Sequence, residues 1–169
     1  MQRRTKRGFT MLEVMVVIGI VAIGAAIAMA TFQRSTAKAD MRSAANAMVG
    51  DFRRARSMAK TGTTPPGAFA AGQRTVQAGI RIVSATSYSV FVDNDNVSNG
   101  SEVAVEVVDM LTKYGAGFSI TAPAVGTEIR FRRNGTLDQP NNINIVMTDT
   151  HGGGQRTITV TYGGSASFM

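Results

Sequence analysis

Arg7-Gly8-Phe9-Thr10-Met11-Leu12-Glu13-Val14 is the stretch on which the reading of this chain turns, because it joins a basic segment to an apolar one. From Val14 to Ala30 there is no charged residue. About 20 apolar residues cross the hydrocarbon core of a bilayer as a helix, so residues 9–30 are a candidate membrane span. Arg3, Arg4, Lys6 and Arg7 precede it, and the positive-inside rule keeps that end cytoplasmic and delivers everything after Ala30 to the far side. A secretory signal removed after its apolar run is the competing reading, and Ala26-Ile27-Ala28 or Ala28-Met29-Ala30 would supply its small-x-small site. Glu13 separates the two. A carboxylate this far into a membrane helix costs about 2.5–3.5 kcal/mol on insertion scales and marks a function; a signal-peptide core would not carry it.

Outward from that stretch, 169 residues are the length of one ordinary domain. Hydrophobic residues make up 44% and charged residues 17%, too apolar for disorder. The absence of cysteine removes disulfides, thiolate metal sites and a cysteine nucleophile, and a single histidine removes multi-histidine metal centres. A net charge of +7 would normally suggest nucleic acid or an anionic surface. Four of those charges sit ahead of the apolar run, however, and without them the surface is unremarkable.

From Thr31 to Lys60 the pattern becomes that of an amphipathic helix. Met41, Ala44, Ala45, Met48, Phe52, Ala55 and Ala59 recur at steps of three and four, with Arg42, Arg53, Arg54 and Arg56 off the stripe. No proline occurs before Pro65, so one helix from Phe9 to Lys60, about 75 Å long at 1.5 Å per residue, is expected. Its first half (9–30) would lie in the membrane and its second (31–60) on a head. Residues 61–78, with Gly62, Pro65, Pro66, Gly67 and Gly72, read as a flexible loop or linker.

Beyond it the period becomes two. Val103, Val105 and Val107 alternate with Glu102, Ala104 and Glu106; Ile158, Val160 and Tyr162 alternate with threonines. Further strands are expected at 79–84, 87–92, 117–121, 128–133 and 143–147. One-sided alternation implies antiparallel sheet with one solvated face. The expected class is α+β: a long amino-terminal helix packed on a β-rich head at 79–169.

The opening, a short basic leader followed by Gly8, Phe9 and Thr-x-x-Glu ending at Glu13, resembles the class III signal of type IV pilin-like proteins. Three further patterns, Asp51 to Ala59, Tyr88 to Asp95 leading to Asn99-Gly100, and Ile129 to Gly135 followed by Arg156 to Val160, are similar in order and spacing to the GspH/FimT group. These are minor pseudopilins of type II secretion and minor pilins of type IV pili. The resemblance implies that a prepilin peptidase removes residues 1–8 between Gly8 and Phe9, that the new amino terminus on Phe9 is N-methylated, and that Glu13 serves subunit pairing. It also implies other pilins or pseudopilins and an inner-membrane assembly platform as partners. The span at 9–30 would contact lipid in the bacterial inner membrane, with the head in the periplasm before transfer to a filament, at or near its tip. Many major pilins carry a proline in the membrane half of this helix, and this chain has none.

Glu13 has a physical logic of its own once Phe9 is the terminus. It lies four residues from the Phe9 amine on one helix face. In a stack of axially shifted parallel helices the Glu13 carboxylate can pair with the amine of the neighbouring subunit, and because an unpaired buried charge is strongly unfavourable, the pair selects one register.

Other candidates carry less. Asp93, Asp95 and Asn99 beside Gly100 suggest a calcium loop, but Val97 stands where a further oxygen ligand should be, and an Asp/Asn/Gly hairpin turn explains them. Arg130, Arg132 and Arg133 around Phe131 are the residues a weak, sequence-independent DNA contact would use. The family's DNA-uptake members use a basic carboxyl-terminal segment, whereas Tyr162 to Ser167 has no arginine; nucleic acid is therefore not an expected partner. Arg53, Arg54, Arg56 and Lys60 read as a solvated face at a helix carboxyl end. His151 lies in a glycine-rich loop with no nucleophile elbow nearby. The resulting expectation is a non-catalytic filament subunit without metal or cofactor, with a pilus-displayed DNA- or ligand-binding module as the alternative.

Overall fold

A computed structural model describes residues 10–95, 102–115, 117–151 and 153–169. One helix, α1 (Met11–Thr61), runs through the amino-terminal third. Thr10 caps its start, with extended backbone and an Oγ1 that accepts from the Glu13 amide at 3.3 Å. Gly62 ends it in the left-handed conformation, φ 67°, its N–H donating to the Met58 carbonyl at 2.9 Å. Among the described residues eight strands and one short helix follow: β1 (Gln77–Ile82), β2 (Ser87–Asp93), β3 (Val103–Asp109), α2 (Met110–Tyr114), β4 (Phe118–Ala122), β5 (Glu128–Phe131), β6 (Ile143–Asp149), β7 (Gly154–Val160) and β8 (Ala166–Phe168).

The strands form two four-stranded antiparallel sheets, in the orders β3-β2-β1-β5 and β4-β6-β7-β8. The α+β class stands, with the head divided into two sheets that share α1 as common backing. Met41, Ala44, Ala45, Met48, Phe52, Ala55 and Ala59, the apolar stripe, are all buried. They meet Ala78, Ile80 and Ile82 of β1, Val90 and Val92 of β2 and Ile129 and Phe131 of β5 in one cluster, joined from the second sheet by Ile145, Met147, Ile158 and Val160. Phe52 meets Phe131 edge-on at 6.2 Å.

Several local expectations change. Val107 is 60% exposed and Val108 is buried. The cause is a bulge: Val90 pairs with Glu106 but Phe91 pairs with Ala104, so Val105 is an extra residue and the alternation flips beyond it. β7 ends at Val160, leaving Tyr162 outside the strand and half-exposed. The stretch expected to be a flexible linker is tied down at both ends. Thr75 is fully buried; its N–H donates to Thr64 Oγ1 and its hydroxyl to the Thr63 carbonyl, both at 2.9 Å. Ala68 and Phe69 pack against the core.

Candidate functional site

α1 presents two surfaces. From Met11 to Phe32 its large apolar side chains are all exposed, Leu12 at 75%, Ile20 at 66% and Phe32 at 74% among them. From Met41 onward its stripe is covered by the head. Among the described residues α1 is the one helix long and apolar enough to cross a membrane, and none of its most apolar stretch is buried. Soluble monomers rarely leave apolar patches larger than a few hundred Å²; an uncovered stretch of this length calls for lipid or partner helices. Glu13 lies in the first helical turn on this uncovered half, its side chain exposed. Gly8 and Phe9 lie outside the described residues.

The head is fastened to the second half of α1 by polar contacts as well as by the core. The Tyr88 hydroxyl donates to Asp51 Oδ2 at 2.7 Å; burial, then this hydrogen bond, pushes the phenol well above its ordinary pKa. Arg56, expected on a solvated face, donates instead to two backbone carbonyls: Nε to Gly135 at 2.9 Å and Nη2 to Gly163 at 2.8 Å. Gly164, φ 81°, belongs to the same junction, where a Cβ would fall 2.0 Å from the Gly135 carbonyl oxygen. Arg54 pairs with Glu106 at 2.7 Å, both half-exposed.

On the face of the first sheet turned away from α1 lies a closed ionic cluster that the sequence reading did not foresee. Arg130, read from the sequence as a surface arginine that a weak DNA contact would use, is 4% exposed. Its Nη1 donates to Asp93 Oδ2 at 2.8 Å and Gln77 Oε1 at 3.2 Å, its Nε to Glu128 Oε2 at 2.8 Å, and its Nη2 to Glu102. Arg81 completes the group, donating to Glu128 Oε1 at 2.7 Å and Glu102 Oε2 at 3.0 Å. The two guanidinium groups stand 5.2 and 5.6 Å from the centre of the Phe91 ring. Gly79 makes room, since a Cβ there would meet the Ile129 carbonyl oxygen at 2.1 Å and the Phe91 ring at 2.9 Å. Burial raises the Asp93 carboxyl above its ordinary range despite Arg130. At Glu102 burial acts in the same sense, but its own backbone N–H and the Arg130 and Arg81 guanidiniums outweigh it and hold the group low. The cluster joins β1, β2 and β5 to the start of β3, so its task is structural.

Of the other two arginines, Arg132 is exposed and paired with Asp138 at 2.6 Å, and Arg133 is exposed. The three therefore do not form one cationic surface. Asp93 faces Arg130 and accepts from the Asp95 amide at 3.2 Å; Asn99 and Gly100 lie outside the described residues. His151 is exposed, its Nδ1 3.5 Å from Asp149 Oδ1. Asp149 accepts the amides of His151 and Gly153 at 3.0 and 2.7 Å and so shapes a turn that rests on α1 near Ala37. Between this turn, α2 and α1 opens a cleft of about 470 Å³, lined by Phe32, Thr36, Asp40, Tyr114, Phe118 and His151 among others.

Comparison with known proteins agrees with this architecture. The family model for the prokaryotic N-terminal methylation motif matches residues 3–29, and that for the type II transport protein GspH matches residues 44–164. Crystal structures of the type IV minor pilin FimU of Pseudomonas aeruginosa (strain PAO1), in two crystal forms, share the fold at TM-scores of 0.52 and 0.54. Each is 18% identical, and the match covers 76% of this chain and 91% or 87% of the other. At that identity the likeness speaks for the fold. No curated protein sequence matches the chain.

Proposed function

The chain belongs to the family of the type II transport protein GspH, and from that premise we propose that it is a minor pilin or pseudopilin, a non-catalytic subunit of a secretion or pilus filament. Prepilin peptidase cuts between Gly8 and Phe9, and Phe9 becomes the methylated amino terminus. Residues 9–30 hold the subunit in the inner membrane with the head in the periplasm, and the assembly platform passes it to other pilins, where the head acts at the tip to start the filament. The observation that carries this reading is the division of α1 into an uncovered apolar half bearing Glu13 and a half sealed by the head. Apart from the Phe9 amine, Glu13 is the one ionisable group the reading places in the span, so a neighbouring Phe9 amine is its natural partner.

Replacing Glu13 tests the reading. Glu13→Ala should still insert and be cleaved, yet fall at least about tenfold in filament incorporation, the order expected when one buried charge loses its partner. Incorporation at the wild-type level would overturn the assigned role.

A further inference from the structure

The lower rim of the head, where α2 and the turn at Asp149 approach α1, lies beside the end of the apolar run, Tyr114 and Asp149 sharing a cleft with Phe32. At 1.5 Å per residue, Phe32 and Arg34 stand about 3 and 6 Å beyond Ala30 and Lys38 about 12 Å. A headgroup layer is about 5–7 Å thick on each side of the hydrocarbon core. Helical side chains lean toward the helix amino terminus, so Arg34 and Lys38 incline toward the bilayer, and long cationic chains extend that reach. Between Thr31 and Ala39 both charged residues are cationic, and the first carboxylate, Asp40, comes higher up. Across the cleft, α2 contributes Tyr114, with Lys113 Nζ 5.7 Å from its ring centre, and an exposed Leu111. Phe32, 74% exposed, lies at the level where aromatic side chains settle at a membrane interface.

Resting on the anchored state described above, we propose that before assembly the head is seated on the bilayer surface through this rim. Phe32 and Tyr114 sit at the interface, and Arg34, Lys38 and Lys113 lie against the phosphates of anionic lipids. The occupant is a lipid surface because the rim is continuous with the span and the first two charged side chains of α1 beyond the span, Arg34 and Lys38, are both cationic and exposed. Each cation at an anionic surface adds attraction that fades with salt. Such seating would hold the head in one orientation while the span waits for a partner.

The chain contains no tryptophan, so a single introduced indole is a clean reporter. Full-length Leu111→Trp reports the rim and full-length Ile20→Trp the span, each reconstituted in nanodiscs of phosphatidylcholine alone or with roughly one-third phosphatidylglycerol. Ile20→Trp should be quenched by chain-brominated lipid in both. Leu111→Trp should be quenched by headgroup nitroxide lipid at least about twofold more strongly with phosphatidylglycerol. That difference should vanish at about 0.5 M salt, or when Arg34, Lys38 and Lys113 are all changed to Gln. If Ile20→Trp is quenched while Leu111→Trp is not, rim seating is wrong and the anchor stands; if neither is quenched, both fail. Rim quenching that ignores lipid charge and follows the number of protein copies per disc would assign the rim to contact between subunits and overturn the proposal.

Discussion

The two halves of α1 obey the same helical geometry and have opposite surroundings. Met41 to Ala59 places an apolar residue every three or four positions and sends its arginines elsewhere, so one stripe is sealed by two sheets. Apart from Glu13, Met11 to Phe32 is apolar all round, and its large apolar side chains are left uncovered among the described residues. A helix with one apolar stripe belongs to a core, and one apolar on every side belongs in lipid or among other helices. The second half is built into the core of the head; on the proposed reading, the first half decides where the folded head goes and what it joins.

If that division holds, substitutions in the two halves should part company in stability. Phe52→Ala, deep in the core against Phe131, should cost about 3–5 kcal/mol in the thermal unfolding of the head. Ile20→Ala, measured the same way in micelles, should change it by less than about 0.5 kcal/mol. Equal losses would break the comparison. Arg130→Met should cost about 3–5 kcal/mol, because it strands carboxylates around a buried site. Arg132→Ala, at an exposed pair, should cost less than about 1 kcal/mol. Tyr88→Phe removes a hydrogen bond to a carboxylate on the docked half of α1 and should cost about 1.5–3 kcal/mol.

The smallest effect is in pH. Glu102, held below its ordinary pKa, contributes stability that is complete above the unfolded carboxylate range and is lost as pH falls through its folded value. Asp93, raised by burial, acts in the opposite sense, favouring the fold most when protonated and losing that contribution as pH rises through its folded pKa. Acid denaturation of the wild type should therefore be shallow in this region, and Glu102→Gln should lose the Glu102 part of it. Acid sensitivity unchanged in Glu102→Gln would remove Glu102 from the account.

What was legible in the sequence was local. The apolar stripe from Met41 to Ala59 and most strand positions follow from period alone, because their signal lies within a few turns or pleats. β8 has three residues and α2 five, too short to carry a period. The bulge at Val105 shows only in pairing, so the regular series holds for Val103 and Val105, which pack against the core, and fails at Val107. The Arg130 cluster draws on Gln77, Asp93, Glu102 and Glu128, which meet only after β1, β2 and β5 have paired. Gly79, in the middle of an otherwise well-formed strand, was the available signal, since such a glycine marks a close approach. Arg56 was misread for the same reason, its carbonyl partners lying about the loops near Gly135 and Gly163.

The most direct test of the division of α1 is the intact mass and terminal peptide of the native protein extracted from membranes. The account predicts a chain that begins at a methylated Phe9 and retains the whole uncovered half, Glu13 included. A chain beginning near residue 31, or one still carrying Met1, would contradict it.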